Sequence, residues 1–302
     1  MIKELANELG FRECYVLPNE KYDDWERRRE SGAFHKGTEY IKADPTEAYK
    51  GKNVLLILLW PYSPYEEQLY SAYYTASNAS YHAMTSFVWQ LRAKGLEAEK
   101  ADVPMRHILA SHGIGRTLKS ALLYIPPYGT RFCLQAVAIR LEEFELSKPM
   151  EVSGCLDCGL CSKACPNAAI GEDGFDFHRC IRAGISCTPI PEWTMERMSS
   201  YLGCEVCQGV CPLNADIKPI PAPDELKEAF RIERLLSGDV QDAERLCGKN
   251  MSKKQRFVTH AAVLAGNYER VDCLPRLKEL AEDESTNESC KAACSFAIGK
   301  LT

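Results

Sequence analysis

Seven cysteines fall in two short motifs. Cys155, Cys158 and Cys161 stand three positions apart, and Cys165 follows four positions later, just before Pro166. Downstream, Cys204 and Cys207 form a second close pair, and Cys211 precedes Pro212. Three thiolates at the first spacing wrap one face of an iron–sulfur cube, while a cysteine before proline leaves the loop and ligates the other cluster in two-cluster ferredoxins. Two cubane clusters need eight ligands. The eighth must come from the intervening segment, where Cys180 and Cys187 are the candidates. The crossed pattern places Cys155, Cys158, Cys161 and Cys211 on one cluster. Cys165, Cys204, Cys207 and one middle cysteine hold the other. Zinc ribbons also use C-x2-C pairs, but the third and fourth cysteines of the first motif are surplus to a tetrahedral zinc site. The remaining cysteines, Cys14, Cys133, Cys247, Cys273, Cys290 and Cys294, read as small buried apolar residues.

Two clusters make a short electron wire, and the acceptor is expected in the N-terminal part. No dinucleotide or Walker glycine loop stands there; Gly113-Ile114-Gly115 is too short for one. The Asp-x-His-x-x-Gly pattern of one cobalamin-binding class is also missing. Asp176-Phe177-His178 begins it, but Ile181 stands where glycine belongs.

The elements that must carry these groups show in the hydrophobic pattern. Ile2, Leu5, Ala6 and Leu9 recur at helical spacing before Gly10. Val54 to Trp60 is a short apolar run that reads as a buried strand. Ser120 to Ile125 and Phe132 to Ile139 read as two more strands, with a helix over Tyr81 to Ala93. This is an α/β pattern. A packed apolar core is scarce between Glu151 and Asn214. "DIKPIPAPDE" then reads as a stiff linker or strap, and the chain from Glu225 is helical. "FVTHAAVLAGNY" and "CKAACSFAIGKL" echo each other about thirty residues apart, as in helical repeats. Expected domains are 1–150, α/β; 151–214, two-cluster and ferredoxin-like; and 215–302, linker and helical tail.

The chain has 302 residues, fifteen cysteines and a net charge of −5, which offers no general nucleic-acid footprint. "KNMSKKQR" (Lys249 to Arg256) reads either as a local RNA-backbone patch or as the charged face of a helix. No apolar run approaches the length of a membrane span. The start shows no secretory pattern, so a reducing cytoplasm is the expected location.

Nearly the whole chain resembles the epoxyqueuosine reductase family, cobalamin-dependent enzymes of tRNA queuosine synthesis. "ADPTEAYKGKNVLLILLWPYSP" is similar to the family's first central strand and its lead-in. "SYHAMTSFVWQL" resembles its Asp-Tyr-His segment, and "GIGRTLKSALL" its glycine-rich stretch, with Gly113, Gly115 and Lys119 in register. "HRCI" stands where the family keeps its lone cluster ligand, so the resemblance prefers Cys180 over Cys187. The final helices resemble a shortened HEAT-like tail.

The resemblance implies base-off cobalamin on the α/β domain, with its cobalt near the first cluster. Ser80, Tyr81, His82, Gly113, Gly115 and Lys119 then contact the cofactor, and Asp102 acts as the catalytic acid. It further implies that the clusters reduce Co(II) to Co(I) for attack on the substrate. Implied partners are a flavodoxin- or ferredoxin-type donor and tRNA, with the chain a monomer.

Departures cluster around the implied substrate site. Ser80 replaces the family's aspartate, Arg116 its tryptophan and Leu118 a glycine, and the Asp102 segment is one residue short before Pro104. These point to a paralogue. On this reading Ser80→Asp should recover some proton delivery. His82 also reads as an ordinary helix-opening histidine, Asp102 as a loop or cap carboxylate, and Lys119 as a solvated lysine. Two alternative functions stand beside the first: the same cofactors acting on a small molecule, as in reductive dehalogenases, and an electron-transfer iron–sulfur protein without cobalamin.

Overall fold

The computed structural model describes residues 1–30, 40–172 and 174–302. Four strands form its main sheet: β1 (Glu13–Pro18), β2 (Val54–Pro61), β3 (Ala98–Lys100) and β6 (Phe132–Ile139), in the order β1–β2–β6–β3. Two short strands, β4 (Arg116–Thr117) and β5 (Leu123–Tyr124), pair with each other outside it. All pairings in the main sheet are antiparallel. The mixed helix and strand content matches the expected α/β pattern, but not through the parallel crossovers that repeated βαβ units would give.

β2 is apolar throughout because both faces are covered. Leu55, Ile57 and Leu59 pack with Trp25, Ile108 and Leu109 on one side. Val54, Leu56 and Leu58 meet Leu5, Phe87 and Leu91 on the other. A strand with period-2 side chains and two buried faces reads as one unbroken apolar run. The expected helix is longer than the pattern showed, running Ala72–Ala93. The expected strand from Ser120 shrinks to Leu123–Tyr124. Its first residues form a turn in which Leu118 N–H donates to Leu122 and Ala121 N–H to Leu118. Pro126 and Pro127 follow with no N–H to extend the ladder.

The expected scarcity of core between Glu151 and Asn214 is corrected. Ile181, Ile185, Ile190, Met195, Met198, Tyr201 and Leu202 share one apolar cluster with tail residues such as Leu235, Phe257 and Leu264. The 214/215 boundary therefore runs through a common core. The two echoing segments are the helices Arg256–Asn267 and Glu288–Leu301, packed closely together. A Cβ at Gly266 would lie 2.8 Å from Ala297 Cα, so only glycine permits this approach.

The proline-rich stretch is a strap. Ile220 accepts from Glu66 N–H at 2.9 Å and donates to Pro64 at 3.0 Å. Ala222 N–H donates to Glu67, which also pairs with Lys227 at 2.6 Å. Among the described residues no helix is long and apolar enough to cross a membrane.

Candidate iron–sulfur centre

The first cysteine loop turns through two left-handed residues, Asp157 at φ 47° and Gly159 at φ 70°. Gly159 then opens the short helix Leu160–Ala164. Cys165 leaves that helix in an extended conformation and accepts from Ala169 N–H at 3.2 Å. Cys180 caps the start of the Ile181–Gly184 helix. Its thiol takes hydrogen bonds from the Arg182 and Ala183 N–H groups, which favour the thiolate, while burial opposes it and wins.

The thiols fall into two electrostatic neighbourhoods. Burial pushes Cys204 up to about 11, and among the further causes are Cys180 and Cys165. Cys207 rises to about 12, again first by burial, then through Cys204, Cys180 and Cys165, and last through Cys161. Cys211 is raised by burial too, but its thiol neighbours are Cys161, Cys158 and Cys155. Cys211 thus has Cys155, Cys158 and Cys161 as thiol neighbours, while Cys207 has Cys204, Cys180 and Cys165, with Cys161 the weakest. Cys187 belongs to neither set. Its Sγ lies 3.7 Å from the Ala183 carbonyl, and it lines a notch against the tail.

These sets fit two [4Fe–4S] clusters. Binding must displace thiol protons, so metal affinity and pH are linked. Among the described residues no three His, Cys, Asp or Glu side chains converge as for a single metal ion. A cubane does not ask for that, since its thiolates sit on four separate irons. The six other cysteines are all buried, as expected.

The first set opens into a hollow whose far wall is Leu118, Lys119 and Ser120. Lys119 is therefore beside the first cluster site. The other residues assigned by resemblance lie elsewhere. Ser80 is fully buried; its Oγ donates to the Ser77 carbonyl and accepts from Gln135 at 2.9 Å. The expected recovery by Ser80→Asp loses its basis, because this position is sealed between helix and sheet. Tyr81 and His82 are exposed on the next positions of the helix, with Lys100 Nζ 4.1 Å from the Tyr81 ring centre. Asp102 is also exposed, its backbone anchored by Tyr49 Oη at 2.6 Å and by Lys42 N–H at 2.7 Å.

A cradle for a corrinoid at the two glycines is tested by adding a Cβ. At Gly113 it meets Pro149 at 2.9 Å, and at Gly115 the Tyr124 carbonyl at 2.5 Å. Both glycines therefore serve the chain's own packing. Lys119, Tyr81 and His82 are the assigned residues left free to meet a cofactor.

Sequence reasoning missed the seam that seats the cluster segment. Arg131, buried just before β6, pairs with Glu205, the residue after Cys204. Ser71 Oγ donates to the same carboxylate at 2.7 Å instead of capping its own helix. Asn214, just after the second motif, accepts from Thr130 N–H at 2.8 Å and donates to the Gln208 carbonyl at 2.9 Å. A Cβ at Gly129 would strike Asn214 Oδ1 at 2.1 Å, which explains that glycine. Polar residues flanking motif cysteines were the available signal. A pocket of 690 Å³ lies along this seam, lined by Tyr65, Tyr70, Arg131, Cys204 and Lys218 among others. Its size is that of a small-molecule site.

The fold and its two thiol sets define a double-cluster iron–sulfur module seated on a sandwiched antiparallel sheet. Residues 154–214 match the 4Fe-4S double cluster binding domain. The epoxyqueuosine reductase of Lactococcus garvieae (strain Lg2) is 29% identical over 209 residues, covering 64% of this chain and 57% of that protein. That of Bacillus subtilis (strain 168) is 25% identical over 222 residues, covering 70% and 56%. The chain thus spans little more than half the length of these relatives. A crystal structure of epoxyqueuosine reductase with an epoxyqueuosine-modified tRNA-Tyr stem loop superposes with a TM-score of 0.79 at 18% identity, over 99% of this chain and 89% of that one. The chain is thus similar to epoxyqueuosine reductases in sequence over about two thirds of its length and shares their fold, and it carries a 4Fe-4S double cluster binding domain.

Proposed function

We propose that the chain is an iron–sulfur reductase that works with a base-off corrinoid on an epoxide or a related electrophile, epoxyqueuosine in tRNA being the reference substrate. The observation that carries this reading is the first thiol set, whose hollow is walled by Leu118–Ser120 of the α/β layer. Electrons leaving the first cluster would enter the N-terminal layer there. When bound, a corrinoid supplies a strongly reducing nucleophile. This chain's part is to hold and orient it through Lys119, Tyr81 and His82. Asp102, exposed at the end of β3, is the proton donor on this reading. The cysteine assignments, the division at 150 and 214, and a HEAT-like character for the tail are parts of the same proposal. So are a monomer and a low-potential flavodoxin- or ferredoxin-type donor.

The test is the visible spectrum of the anaerobic, cluster-loaded chain after addition of cobalamin, followed by single turnover on epoxyqueuosine-tRNA. A retained corrinoid band and product support the reading. Cluster absorption alone, with no corrinoid retained, refutes it.

One observation favours a second reading, an electron-transfer protein without a corrinoid. Ser80, Gly113 and Gly115 are all consumed by internal packing. In that case the 690 Å³ pocket beside Cys204 is the opening toward a redox partner.

A further inference from the structure

A notch on the tail side of the cluster segment gathers positive charge that no carboxylate among the described residues pairs with. Cys187 and Thr188 form one wall, Lys253, Lys254 and Arg256 the other, and Ser289 closes it. Arg256 is half-buried. Its pKa is lowered by burial, and the Arg182 guanidinium beside it acts in the same direction. Arg182 lies over the Tyr74 ring, 5.2 Å from its centre, and hydrogen-bonds Ser186. The side-chain hydrogen bond of Arg256 is a 4.0 Å contact with the Met251 sulfur. Among the described residues no carboxylate pairs with Arg182, Lys253, Lys254 or Arg256.

The backbone here is held in an uncommon shape. Lys254 and Gln255 are both left-handed, at φ 57° and 55°. Asn287 fixes them, donating its side-chain amide to the Lys254 carbonyl at 2.7 Å and its N–H to Gln255 Oε1 at 2.9 Å. Strain of this kind persists where neighbours over-determine it, often at ligand sites. Arg256 is half-buried, and Lys253 and Lys254 are exposed at the rim of the same notch; like charges lining one notch repel unless an anion joins them. A phosphoryl group offers several oxygens to a guanidinium fork and to lysine ammonium groups together.

We propose that this notch binds a phosphoryl group, with Arg256 as the inner contact and Lys253 and Lys254 as the outer ones. The inference is independent of the corrinoid reading. The group can belong to a free phosphorylated small molecule or to an RNA backbone, and the two sources are separable.

The experiment is calorimetry on the anaerobic, cluster-loaded full chain at low ionic strength. One arm uses inorganic phosphate, the other an oligouridine without a terminal phosphate. The proposal expects millimolar or tighter phosphate binding that weakens at least tenfold in Arg256→Met and in Lys253→Ala/Lys254→Asn. The second variant changes only exposed side chains, and asparagine tolerates the left-handed backbone, so it guards against misfolding of the first. Oligouridine binding that phosphate displaces assigns the site to an RNA backbone. Phosphate binding without oligouridine binding assigns it to a free phosphorylated ligand. No phosphate binding at millimolar concentration, or equal binding by wild type and both variants, overturns the proposal.

Discussion

The buried guanidinium of Arg131 pairs with Glu205, and this one contact ties the start of β6 to the loop that carries Cys204. The Ser71 hydroxyl completes the carboxylate's shell at 2.7 Å, so the long helix, the sheet and the second cysteine motif meet at one ion. Buried pairs are weak evidence for net stability, but removing one partner strands the other charge.

Arg131→Met is therefore expected to cost about 3 kcal/mol and to loosen the second cluster. Denaturant titration of the anaerobic protein reads the first effect, and iron retention during dialysis the second. Arg131→Met/Glu205→Gln should recover most of the loss. A double variant no better than the single one contradicts this role for the pair.

Ser80→Asp should not rescue catalysis. The site offers one donor, Gln135 Nε2, and one carbonyl, Ser77, that would repel a carboxylate. The buried acid would have a raised pKa. An acid whose folded pKa is raised is tolerated while protonated and costs stability as pH rises through that pKa. The variant is expected to lose about 3 kcal/mol at pH 7 and much less near pH 4. Thermal melts at the two pH values check it; equal losses at both would contradict burial of this side chain.

His260 sets an acid limit. It is fully buried, and burial lowers its pKa to about 3. Nδ1 accepts from Leu202 N–H at 3.3 Å while Nε2 faces the Ile185 carbonyl at 3.3 Å, which fixes the neutral tautomer with the proton on Nε2. A histidine with a depressed folded pKa is neutral in the fold and binds its proton in the unfolded chain. Stability is thus lost as pH falls below about 6.5, by at most about 1.4 kcal/mol per unit. His260→Gln should flatten this slope between pH 6.5 and 5 in urea titrations. An unchanged slope would assign acid sensitivity elsewhere.

The middle ligand separates two neighbouring cysteines. Cys180→Ala is expected to lose one cluster, about half the iron, because its thiol faces Cys165, Cys204 and Cys207. Cys187→Ala should keep both clusters, since Cys187 faces the tail notch. Iron loss in the Cys187 variant but not in the Cys180 variant would reverse the assignment.

Much of the scaffold was legible because its signals are local. The all-apolar run Val54–Trp60 read as a buried strand, and the Phe132–Ile139 strand was read to its ends. The cysteine spacing reported the two-cluster segment before any fold was known. What stayed hidden depends on distant partners. Nothing near Ser80 in sequence shows that Gln135 closes over it. The glycines at 113 and 115 read equally as a cofactor cradle or as close packing, and only Pro149 and Tyr124 decide between these. Ile181–Leu202 looked poor in core because its apolar partners come from the tail.

The central claim is that Cys155, Cys158, Cys161 and Cys211 hold one [4Fe–4S] cluster, and Cys165, Cys180, Cys204 and Cys207 the other. Iron, zinc and acid-labile sulfide should be quantified in the anaerobically reconstituted full chain, with Mössbauer spectra on the same sample. The account predicts about eight iron and eight sulfide per chain, all in cubane signals, since each cluster takes four cysteines. Stoichiometric zinc without sulfide, or a ceiling of about four iron per chain, would contradict it.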